Sequence, residues 1–115
     1  MSSPYFHPQE EFEVWAIESY EQERPGTRYL IEFADGESYV CLFDTAYDSE
    51  NGGELDIETD HPLYDEFHQV SLRIIRTVRR GLRPYNEWLN LDYRDFPSRI
   101  FDLDTESVVY PERQP

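Results

Sequence analysis

Two runs rich in β-branched and aromatic residues, 28–33 and 38–43, flank the pair Asp35-Gly36 in RYLIEFADGESYVCLF. Asp-Gly takes the positive φ values of a type I′ turn readily, so this stretch reads as a β-hairpin. Tyr29, Ile31 and Phe33 fall on one side of the first strand. Tyr39, Cys41 and Phe43 fall on one side of the second, with Val40 and Leu42 opposite. A lone hairpin is marginal in water, so the remaining chain must cover that apolar face.

The cover is expected from HPLYDEFHQVSLRIIRTVRRG. Spaced at 100° per residue, Leu63, Tyr64, Phe67, Val70, Ser71, Ile74, Ile75 and Val78 form one arc. The wet side takes Asp65, Glu66, Gln69, Arg73, Arg76 and Arg80, with Leu72 as its single apolar residue. Asp60 or His61 can cap the start, Pro62 suits the first turn and Gly81 the exit. The spacing therefore predicts a long amphipathic helix over 62–80. Before the hairpin, EFEVWAIESYE alternates and reads as a strand, ended by Pro25-Gly26. After the helix, NEWLNLDYRDFP reads as a strand with Leu89, Leu91 and Tyr93 on one face. A last hairpin places Ile100-Phe101 and Val108-Val109-Tyr110 around DTES. The expected fold is α+β: a single domain over 1–115, a mainly antiparallel sheet in β-β-β-α-β-β-β order, one long helix packed on it, and loose termini at 1–9 and 111–115. Trp15 and Trp88 are expected as core anchors.

Charge sets the limits on function. The chain holds 25 acidic residues against ten basic ones, every basic residue is Arg, and the net charge is −15. The first seventy residues carry eighteen acids and two arginines, whereas 71–83 holds Arg73, Arg76, Arg79, Arg80 and Arg83 and no acid. A charge of this size repels nucleic acid and anionic membranes and attracts basic proteins. The acids cluster in the long loop expected at 44–60, including Glu50, Glu54, Asp56 and Glu58. The arginines form a collar, of which at least one of Arg76, Arg79, Arg80 and Arg83 is expected to fork onto a carboxylate such as Asp92 or Asp95.

Site chemistry is sparse. The run DSENGGELD has a partial calcium-loop pattern from Asp48, but Gly52 and Thr59 stand where ligands are needed. His7, His61 and His68 lack metal-ligand spacing with one another or with Cys41. Cys41 reads as a small core residue. Asp102 and Asp104 read as hairpin-turn residues, with Asp104 in the Asx role. No catalytic, cofactor or metal residues are singled out.

With one cysteine, no basic and apolar leader at the N-terminus and no apolar run of membrane-spanning length, a reducing cytoplasm is expected. The expected function is protein–protein contact by a small acidic, non-enzymatic protein, as an inhibitor or immunity-type protein for a basic, nucleic-acid-binding partner. The candidate interaction residues are Glu50, Glu54, Asp56, Glu58, Arg76, Arg79, Arg80 and Arg83. The alternative is an acidic housekeeping domain adapted to a salty cytoplasm, with a small hydrolase third.

Overall fold

A computed structural model describes residues 6–111. Six strands form one antiparallel sheet: β1 (Arg28–Glu32), β2 (Ser38–Glu50), β3 (Glu66–Arg79), β4 (Trp88–Leu91), β5 (Arg99–Asp102) and β6 (Ser107–Tyr110). Their spatial order is β4-β3-β2-β1-β5-β6. A 3-10 turn (Pro8–Glu11) leads into the ten-residue helix α1 (Val14–Glu23), and the one-turn helix α2 (Gly52–Leu55) follows β2. The fold is α+β with a short helix on the sheet.

Two expected elements exchange identity. The segment EFEVWAIESYE holds no strand; most of it is α1. Val14 and Ile17, three residues apart, are both fully buried against the sheet, a helical spacing. In its last turn, Glu21 accepts the Gly26 N–H at 2.8 Å and the Tyr29 hydroxyl at 2.8 Å, which pins the helix end to β1.

The segment expected as the main helix is instead β3, the longest strand. Over 68–74, His68, Val70, Leu72 and Ile74 share one face, while Gln69, Ser71 and Arg73 take the other. Leu72, assigned to the wet side of a helix, is fully buried, and Leu63, assigned to its apolar arc, is 66% exposed. Two β-bulges then add one residue each, Ile75 and Val78, so Arg73, Arg76 and Arg79 stand opposite Leu42, Val40 and Ser38. Residues three apart in sequence thus step by two in register, which imitates helical periodicity.

The hairpin around Asp35-Gly36 is present with a different turn. Phe33 N–H donates to the Glu37 carbonyl at 2.9 Å, Gly36 N–H donates to the Phe33 carbonyl at 2.9 Å, and Gly36 alone in the loop has positive φ, +95°. This is a three-residue loop closed by a glycine bulge, not a type I′ turn. Strand β2 runs on to Glu50, so the acidic loop is shorter than expected and contains α2.

The core lies between α1 and one sheet face: Val14 and Ile17 meet Tyr29, Ile31, Tyr39, Cys41, Val70, Leu72, Leu89, Leu91 and Ile100. The tryptophans are not core anchors; Trp15 is 37% and Trp88 44% exposed. The opposite face, read from the pairing, carries Leu30, Val40, Leu42 and Phe101 beside Arg28, Arg73 and Arg99.

Glu10 ties the N-terminal turn to the sheet. Its fully buried carboxylate accepts the N–H groups of Phe6 (2.8 Å) and His7 (2.9 Å) through one oxygen and that of His68 (2.6 Å) through the other. Three backbone donors offset the desolvation of the charge. His7 also reaches Asp65 at 2.8 Å and stacks on Tyr93. Residues 1–5 and 112–115, expected as loose ends, lie outside the described residues.

Strand and helix assign Leu72 and Ile75 opposite fates, which gives a direct check. Leu72→Ala should cost about 2–5 kcal/mol in chemical denaturation, as a large-to-small change in a packed core. Ile75→Ala, on an exposed bulge, should cost less than about 1 kcal/mol. Equal losses would contradict the strand.

Candidate functional site

The arginine collar divides into two groups. Arg83 is a structural hub. Its Nε and Nη2 donate to Asp95 at 2.6 and 3.0 Å, the expected fork, and its Nη1 reaches Asp35 at 2.9 Å and Glu37 at 3.3 Å. The guanidinium lies 3.7 Å from the centre of the Phe33 ring. Glu37 is buried under Gly81, where a β-carbon would collide with its carboxylate, and it also accepts the Tyr39 hydroxyl at 2.6 Å. Hydrogen bonding to Asp95, opposed by desolvation, raises the Arg83 pKa further. Arg83 thereby clamps the β1–β2 turn to the segments before and after β4.

Arg76, Arg79 and Arg80 form the other group. With Arg73 they make no salt bridge among the described residues, although other arginines do: Arg28 with Asp104, Arg94 with Asp92 and Glu54, and Arg99 with Glu32. All four are exposed on β3 or just beyond it. The Arg79 guanidinium lies over Gly36, whose missing side chain leaves it room.

The predicted acidic residues gather in one lobe at the far end of β2. Glu50 accepts the Gly52 N–H at 2.5 Å, Glu54 on α2 takes an Arg94 nitrogen at 3.1 Å, and Asp56 ends α2 in the left-handed region at φ 53°. Glu58 is exposed. The lobe is held by Asn51, which accepts the Asp65 N–H at 2.7 Å and donates to the Leu63 carbonyl at 2.8 Å. Asp48 lies outside the lobe, in β2, paired to His68, which removes the first position of the partial calcium pattern.

A groove absent from the sequence reading runs between α1 and β6. It holds about 360 Å³ and is lined by Phe12, Trp15, Tyr20, Val108 and Val109, with Glu11 and Glu23 among its walls. The 3-10 turn and α1 place six acids and no basic residue in 10–23. An aromatic pair three residues apart, Phe12 and Trp15, was the available signal, once the segment is read as helical.

A smaller polar pocket of about 260 Å³ involves Gln69, Asp92, Arg94 and Glu54. Its carboxylate is engaged: Asp92 accepts from Gln69 at 2.8 Å, from Arg94 Nε at 2.9 Å and Nη2 at 3.0 Å, and from the Arg94 N–H at 3.0 Å. Such an acid is poorly placed to move protons. Burial pushes the Cys41 thiol up to about 12, so it stays protonated at neutral pH. In the β5–β6 turn the Asx role belongs to Asp102, which accepts the N–H groups of Asp104 (2.8 Å) and Thr105 (3.2 Å); Asp104 instead takes Arg28. Among the described residues no group of three or more His, Cys, Asp and Glu side chains is placed to hold a metal ion. No described helix is long and apolar enough to cross a membrane. No family model, no curated protein and no solved structure matches the chain.

Two outcomes test these assignments. Arg83→Gln should cost on the order of 3 kcal/mol, because it strips a buried carboxylate of its cation. Arg83→Lys should recover only part of this, and Arg76→Gln should be nearly neutral; urea midpoints decide. His68 gives a pH signature. Burial disfavours its charged form, but hydrogen bonds to Asp48 and Glu18, at 2.9 Å each, prevail and raise its pKa. This stabilisation is complete below the unfolded value of about 6.5 and is lost as pH rises through the folded one. The stability gap between the natural chain and His68→Gln should therefore shrink across neutral pH.

Proposed function

We propose that the chain acts through protein–protein contact and that its partner is basic, in the manner of an inhibitor or immunity-type protein for a nucleic-acid-binding protein. The observation that carries this reading is the groove beside α1. Phe12, 66% exposed, and Trp15 lie together in the segment 10–23, which has six acids and no basic residue of its own. Exposed aromatics within a charged rim are the composition of an interface centre, and Trp is the side chain that most often dominates binding energy there. The acids steer a cationic partner and the rings hold it. The 50–58 lobe adds a second negative surface with exposed Leu55 and Leu63.

A second reading, acidity as solvation in a salty cytoplasm, draws on Asp44, Asp56, Glu58 and Asp60, which are exposed and make no salt bridge among the described residues. The two readings separate experimentally. In a Trp88→Phe background Trp15 is the single tryptophan, and excitation beyond the tyrosine absorption band reports on it alone. Titration with an amphipathic peptide alternating Arg and Leu should shift its emission saturably and should weaken with salt. Trp15→Ala should weaken binding by about 2 kcal/mol, roughly thirtyfold. No saturable shift, with a melting temperature that climbs steadily into molar salt, would favour solvation.

A further inference from the structure

Strand β3 presents a fourteen-residue edge on the side away from β2, and the fold closes it in pieces. At 66–68 the N-terminal turn covers it, with His68 N–H on Glu10 and the Glu66 carbonyl 3.1 Å from His7 Nε2. At 70–73 it pairs with β4. At 74 the Ile74 N–H donates to the Glu87 carbonyl at 2.8 Å. From 75 to 79 no described strand pairs with it, and Ile75 and Val78 are 46% and 49% exposed there.

The arginines without salt bridges flank this opening. Arg73, Arg76 and Arg79 stand opposite β2 residues two apart, so they share a face and step by about 7 Å. That is the step between alternate residues of an extended strand. Among the described residues these three arginines make no salt bridge, although the chain holds 25 acids. We propose that the 75–79 edge of β3 accepts an extended acidic peptide strand from a partner protein, in which carboxylates alternate with apolar residues. Main-chain pairing would supply affinity, the arginines would select the carboxylates, and Ile75 and Val78 would offer apolar contact. A second copy is the wrong occupant, because edge-to-edge pairing would bring arginine against arginine. This surface is opposite in sign to the groove beside α1 and stands independently of it.

The test uses the full chain and a short peptide alternating Glu and Val, with Gln–Val and Lys–Val peptides as controls. Saturable binding of the Glu peptide alone is expected, with slowed amide hydrogen exchange at 75–79. Arg76→Gln/Arg79→Gln should weaken it at least about tenfold with the melting temperature preserved. N-methylation of the peptide along one edge should abolish binding, and Trp15→Ala should leave it unchanged. Equal affinity for the Gln peptide, full affinity in the arginine double variant, or no slowing at 75–79 would overturn the proposal. So would tighter binding of a single-stranded oligonucleotide to the same arginines, or a dimer formed through this edge.

Discussion

The fold hangs on the pairing of β2 with β3, a ladder that runs from Ser38 opposite Arg79 to Glu50 opposite Glu66. Strands β1, β5 and β6 extend the sheet from one side and β4 from the other. The helix has only to cover the apolar face so assembled. This explains how a chain with 38% hydrophobic residues builds a core: the two long strands place Tyr39, Cys41, Val70 and Leu72 together, and few further side chains are needed to seal them. It also explains why β3 cannot be the helix. As a helix it would take from β2 its only long partner.

Much of the sheet was legible in the sequence. The Asp35-Gly36 hairpin, the Leu89–Leu91 strand and the final hairpin follow from alternation and turn residues. The two misread segments failed for separate reasons. In α1 the unbroken apolar run Val14, Trp15, Ala16 and Ile17 imitates a strand buried on both faces, and only the later Glu-rich turns favour a helix. In β3 the bulges at Ile75 and Val78 break period two where the apolar residues are most conspicuous. The alternation from His68 to Ile74, and the β-branched Val70, Ile74, Ile75, Thr77 and Val78, were the better guides. The fork of Arg83 onto Asp95 could be anticipated because the acid follows by twelve residues. The groove beside α1 could not, since it depends on the helix that was misassigned.

Charged side chains here mostly fix how segments sit against one another. Arg83 fixes a turn, Glu10 an arm, and His68 joins α1 to the long strands through Glu18 and Asp48. Each spans elements distant in sequence, so each contributes to the uniqueness of the arrangement more than to raw stability. What remains is an acidic surface over most of the molecule and a short unmatched arginine row at one sheet edge.

The bulges of β3 have an evolutionary consequence. Each inserts one residue without disturbing the pairs on either side, so the segment can lose Ile75 or Val78 and still set Arg73, Arg76 and Arg79 opposite Leu42, Val40 and Ser38. A single-residue gap between Arg73 and Arg76, or between Arg76 and Arg79, is therefore neutral for the register of the row. Sequences spaced R-x-R-x-R and R-x-x-R-x-x-R can describe one and the same row of side chains.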